Sequence, residues 1–94
     1  MELLTPTQVA ILVLGTRNLV AEVCGVSGSA VTQWGNASRA RAAGDIPSIQ
    51  YIRRILARPE AQGLDLEHLI RGATQAEIDA ILAARAQGAT PEAA

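Results

Sequence analysis

The 94-residue sequence predicts an all-α domain of five or six helices, and three observations carry that prediction. Apolar residues recur at spacings of three and four, the period of a helical face. Two stretches, Thr5-Pro6-Thr7-Gln8 and Thr74-Gln75-Ala76-Glu77, have the layout of helix starts, a capping hydroxyl followed three residues later by Gln or Glu. Gly15, Gly25, Gly35, Pro59 and Gly88 then fall where helices should stop. No segment reads convincingly as a strand.

The first helix starts at the Thr5 cap, with Pro6 in its first turn, and runs to Leu14 before Gly15. Its run from Val9 to Leu14 is apolar all round. The alternation of Val9, Ile11 and Val13 would also suit a strand, but the start signal selects helix. The surplus apolar face is expected to pack on the C-terminal segment or on a second subunit.

Thr16 caps a second helix, about residues 17–24, with Val20, Ala21 and Cys24 on one face. Gly25 supplies the turn, because glycine takes the left-handed conformation without Cβ strain. Val26 is an apolar pin between turn and core. Ser27 caps a third helix, about residues 28–34, with Ala30, Val31 and Trp34 inward. Its opposite face carries Gly28, Ser29, Thr32 and Gln33 at i, i+1, i+4 and i+5. The pair has the layout of a helix-turn-helix, and a short face of small hydrogen-bonding residues suits reading of base edges. A plain helical hairpin with a solvated face is the bland alternative.

Residues 36–45 read as a loop. A fourth helix is expected from Pro47 to about residue 57, with Ile49, Ile52 and Leu56 inward and Gln50, Arg53, Arg54 and Arg58 more exposed; Pro59 ends it. Asp65 caps a short helix over residues 66–71. The last helix runs from the Thr74 capping box to about residue 87, closed by Gly88, and residues 89–94 read as a frayed tail. Ile78, Ile81 and Leu82 form its apolar stripe, which covers the domain's own core or makes a dimer. Residues 1–72 are thus read as the helix-turn-helix unit, and 73–94 as a C-terminal helix and tail of the same single domain.

The stretch Gly15-Thr16 through Val20-Ala21, then Gly25-Val26-Ser27, Ala30-Val31-Thr32-Gln33-Trp34 and Ile46-Pro47, resembles the small Cro-like repressors of temperate bacteriophages. The resemblance covers about residues 5–58. It implies a lambda-repressor-like, Cro-like helix-turn-helix fold that binds a palindromic operator as a homodimer and represses transcription. It also implies that Gly28, Ser29, Thr32 and Gln33 face the bases, while Thr16 and Arg17 hold a phosphate. Ser27 and Asn36 are further expected phosphate contacts, and Arg39 and Arg41 either grip the backbone, reach into a minor groove or belong to a solvated loop. The sequence departs from the family in the apparent insertion 36–45 and in its last thirty or so residues, so the family's later contacts and dimer surface are not carried across.

Charge is polarised along the chain. Residues 16–58 hold six Arg against Glu22 and Asp45, whereas residues 59–94 hold Arg71 and Arg85 against six carboxylates. The net charge of −1 therefore hides a basic middle that coincides with the motif. All eight basic residues are Arg, which the composition of a GC-rich genome explains, as it does the Ala and Gly content.

A single Cys excludes an internal disulfide and any multi-Cys zinc site, and Cys24 reads as a small buried hydrophobe. One His, no Gly-rich phosphate loop and no clustered ligands argue against an enzyme, a metal or a cofactor. No small-molecule ligand or membrane contact is expected. The start lacks basic residues and the run Val9–Leu14 is far short of the about 20 residues that span a bilayer. The expected setting is the cytoplasm of a bacterial host. The other reading is an antitoxin or phage adaptor acting through protein contacts of its acidic C-terminal helices.

Overall fold

A computed structural model describes residues 2–38 and 42–92. The elements, in chain order, are α1 (Pro6–Leu14), α2 (Arg17–Cys24), α3 (Gly28–Gln33), α4 (Ile49–Leu56), a 3-10 turn (Pro59–Ala61), α5 (Leu66–Ile70) and α6 (Gln75–Glu92). The described residues are all-α, with an isolated antiparallel bridge between Leu4 and Ala73. Their radius of gyration, 13.2 Å, is that of a packed domain of about this length.

The centre of the molecule is α1. Val9, Ala10 and Val13 are fully buried, which accounts for a helix apolar on more than one side. It packs against α2, α5, α6 and the 3-10 turn at once. Its start is the expected capping box: the Thr5 hydroxyl accepts from the Gln8 N–H at 3.2 Å, and the Gln8 side chain accepts from the Thr5 N–H at 2.9 Å. Beyond Gly15 the chain turns by 101° into α2. The extra face of α1 is covered from within the same chain, by Ile78 of α6 and Leu69 of α5, both buried.

Three boundaries differ from the sequence reading. α4 begins at Ile49 behind a Ser48 cap, not at Pro47, because the Ser48 hydroxyl accepts from the Gln50 N–H at 3.1 Å. Its inward pair is Ile52 and Ile55, one turn apart; Ile49, in the first turn, is half exposed, and Leu56 only half-buried. α6 continues to Glu92, so Gly88 does not close it. Glycine ends a helix by turning left-handed; held in helical geometry it costs only about 1 kcal/mol relative to Ala. α3 ends at Gln33, with Trp34 as its cap.

The connection after α3 is pinned midway. The Gly44 N–H donates to the Trp34 carbonyl at 2.7 Å, and the Gly44 carbonyl accepts from both the Thr7 N–H (2.9 Å) and the Thr7 hydroxyl (2.8 Å). Gly44 has φ +86°, and a Cβ there would overlap the Thr5 side chain.

No single helix among the described residues is long and apolar enough to cross a membrane.

Candidate nucleic-acid interface

The α2–α3 pair is built from local rules. The Thr16 hydroxyl caps α2 by accepting from the Leu19 N–H at 3.0 Å, and the Ser27 hydroxyl caps α3 by accepting from the Ala30 N–H at 3.1 Å. Between them Gly25 sits in the left-handed region at φ 74°, and the Val26 N–H returns to the Ala21 carbonyl at 2.9 Å. Inward, Val20, Ala21, Cys24, Val31 and Trp34 are buried. Outward, Ser29, Thr32 and Gln33 are exposed and Gly28 is partly so. Val31 and Trp34 face inward as read, whereas Ala30, expected inward as well, is only partly buried.

Two supports of this pair were not legible in the sequence. Trp34 stacks on Tyr51 of α4, and Arg54 of α4 donates from Nη1 to the Cys24 carbonyl at 2.9 Å. The guanidinium of Arg54 thereby satisfies the C-terminal end of α2, where a cation is favoured. It also lies 3.2 Å from where a Cβ on Gly25 would stand, a second reason for glycine at the turn. Burial pushes the adjacent Cys24 thiol up to about 11, with Arg54 opposing that shift.

Arg17 takes an unexpected position. It leads α2, yet its Nη1 donates to the Thr32 hydroxyl on α3 at 2.7 Å. Thr32 in turn donates to the Gly28 carbonyl at 3.2 Å. A Cβ on Gly28 would stand 3.4 Å from Arg17 Nε and Nη2 and 3.1 Å from Asn18 Oδ1. The resemblance implies only that Gly28 faces the bases; in the structure its missing side chain makes room for Arg17 and Asn18. An open cleft of about 320 Å³ flanks this contact, with Thr5, Gln8, Ile11, Val31 and Gly44 among its lining residues.

The basic middle of the chain divides by function. Arg54 is committed to the α2 carbonyl and Arg58 to Glu60, through a two-pronged pair with both distances 3.0 Å. The Arg58 hydrogen bond holds the Glu60 carboxyl below the ordinary carboxylate range. Such an exposed pair adds little stability, but it removes one cation from the polarised surface. Arg17 and Arg53 have no carboxylate partner among the described residues. Arg39 and Arg41, the expected loop contacts, lie outside the described residues. Asn36 is exposed just after α3.

On α6, Ile78 is fully buried and Ile81 and Leu82 are half-buried against the core. The stripe is thus used within one chain. Arg85 donates to the Val13 carbonyl at 2.7 Å and also to the Glu60 carbonyl. His68 Nδ1 accepts from the Asp65 N–H at 3.0 Å, a capping role. No group of three or more His, Cys, Asp or Glu among the described residues could hold a metal ion.

Compared with protein-family models, curated proteins and solved structures, the chain matches none.

Proposed function

We propose that this protein is a sequence-specific DNA-binding transcriptional regulator, a phage or prophage Cro-like repressor whose α2–α3 pair acts as a helix-turn-helix. The supporting observation is the free face of α3. Gly28, Ser29, Thr32 and Gln33 form a polar surface without a carboxylate, with the Arg17 cation laid across it. The face is carried on a helix backed by the Trp34–Tyr51 stack, beside an α2 whose end is held by Arg54. A short polar face on a rigid support, beside an uncompensated cation, suits entry into the major groove. In this reading Gln33 makes a bidentate contact to adenine, and Thr16, Ser27 and Asn36 lie at the backbone. A recognition helix of six residues supplies few base contacts, so a two-fold dimer on a palindrome, with half-sites roughly 34 Å apart, completes the specificity.

The test is selection from random duplex DNA at near-physiological salt, followed by titration of the winning site at several salt concentrations. A palindromic winner with half-sites one turn apart and a steep salt slope supports the reading. No enrichment, with weak salt-sensitive binding only, rejects it.

One observation favours a second reading, a protein-binding module. Leu66 and Ile70, at i and i+4 on α5, are 47% and 55% exposed in the acidic half of the chain. Deleting residues 73–94 would not discriminate, because it strips Ile78 from the core. The paired change Leu66→Ser and Ile70→Ser does: it should leave DNA binding intact and abolish only partner binding.

A further inference from the structure

We propose that Arg17 is a base-reading residue that takes a guanine in the major groove from the place left open by Gly28, with Thr32 as its positioning residue. This rests on the DNA-binding reading above and departs from the phosphate contact that the resemblance implies for Arg17.

Three features of the chain converge on one guanidinium. The first is its anchoring. An arginine side chain loses up to about 2 kcal/mol of rotamer freedom when fixed, so a free surface arginine presents no defined fork. Arg17 is fixed by the 2.7 Å bond from Nη1 to Thr32 Oγ1. The second is the state of Thr32. A hydroxyl has a single proton, and that of Thr32 goes to the Gly28 carbonyl at 3.2 Å. Thr32 therefore has no donor left for a base, and its oxygen is engaged with Arg17. It serves the interface through the guanidinium it holds.

The third is Gly28. Nε and Nη2 of Arg17 both stand 3.4 Å from the point a Cβ at 28 would occupy, and Asn18 Oδ1 stands 3.1 Å from it. The Arg17 side chain thus takes the place of the missing one, laid over one turn of α3 from Gly28 to Thr32. The face beneath it carries no charge of its own. Nε and Nη2 make no hydrogen bond among the described residues, which leaves donors for a partner. Two acceptors side by side, O6 and N7 of guanine, are the base edge that fits a planar guanidinium fork. A phosphate fits the same fork, but it needs no placement over the reading face.

The experiment compares the wild type with Arg17→Ala, Thr32→Val and Thr32→Ser, each checked for its melting transition. Each is titrated on the selected site and on that site with single G·C pairs exchanged. For one G·C pair per half-site, Arg17→Ala should lose about 5- to 150-fold on the selected duplex and almost nothing once that pair is exchanged. Thr32→Val should relax the same pair to a smaller degree, and Thr32→Ser, which keeps the hydroxyl, should restore it. If Arg17→Ala instead weakens every duplex by one factor, lowers the salt slope by about 1 and leaves base preference intact, Arg17 is a phosphate clamp and the proposal falls. A wild type that selects a site with no Arg17-dependent pair overturns this inference alone. A wild type that selects no site overturns the DNA-binding reading as well.

Discussion

The indole of Trp34 and the phenol ring of Tyr51 stack 5.5 Å apart, centroid to centroid, and 19° from parallel. They are the only Trp and the only Tyr of the chain, and there is no Phe. The contact joins the end of α3 to α4, so the one aromatic pair of an aliphatic core sets how the polar face of α3 is presented. Trp34→Ala should destabilise the protein by about 3–5 kcal/mol, the usual loss for a large buried aromatic side chain. Tyr51→Leu, which keeps bulk and loses the stacking, should lose about 0.5–1.5 kcal/mol. Urea unfolding followed by far-UV circular dichroism measures both; an unchanged stability for Tyr51→Leu would mean that the stacking itself contributes nothing.

Gly44 and Gly15 offer a matched pair of substitutions. Both have positive φ, 86° and 117°, but a Cβ on Gly44 overlaps the Thr5 side chain while one on Gly15 meets nothing within 4 Å. Gly15→Ala should show backbone strain alone, of the order of 1–3 kcal/mol. Gly44→Ala should lose more, because Thr5 must also move and the loop is tied to Thr7 there. A Gly44→Ala protein as stable as Gly15→Ala would show that the loop shifts freely.

The Cys24 thiol gives a pH signature. Unfolded, it ionises near 9.0; folded, burial holds its proton to about 11. Between those values the folded state binds more protons than the unfolded state, so stability is fully present below pH 9 and falls as pH rises toward 11. Cys24→Ala should lower stability at neutral pH and flatten this alkaline slope relative to the wild type. In the native state the thiol should react with a disulfide reagent far more slowly than after unfolding in urea.

The Thr74 capping box gives the acid side. The Thr74 N–H donates to the Glu77 carboxylate at 2.8 Å, and the Glu77 N–H donates to the Thr74 hydroxyl at 3.1 Å. The backbone N–H of Thr74 is the largest cause holding the Glu77 carboxyl below its ordinary value. Its contribution is therefore present above the ordinary carboxylate range and lost as pH falls through the folded value. Thr74→Ala should lower stability by about 0.5–2 kcal/mol at neutral pH. Glu77→Gln should reduce the loss of stability on acidification, read from melting temperatures across pH 3–7.

Gln33→Ala should relax specificity at one base pair of the selected operator, with a loss of about 1–3 kcal/mol. Binding to that operator left unchanged would show that Gln33 reads nothing.

What was legible in the sequence was local. The Thr5–Gln8 and Thr74–Glu77 boxes, the Thr16 and Ser27 caps and the Gly25 turn each depend on residues within four positions. All appear in the structure as read. The ties between helices join residues far apart in the chain. Arg54 reaches Cys24 across 30 residues and Arg85 reaches Val13 across 72. No spacing rule foretells such bonds. Ile49 and Ile55 show the intermediate case: the helix was evident, but which apolar residue turns inward depended on where α4 meets α2. At the candidate interface the exposed residues were legible, whereas the partnership of Arg17 with Thr32 was not. It joins two helices through the space above a glycine.

The position of α1 has a consequence for how the chain is made. Its covering comes mostly from α5, α6 and the Pro59–Ala61 turn, and its N-terminal side is clasped by the Leu4–Ala73 bridge. The apolar segment of α1 therefore precedes most of its shelter in the order of the chain. A chain lacking residues 59–78 would keep only the α2 side of that shelter, and uncovered apolar surface of this kind favours self-association.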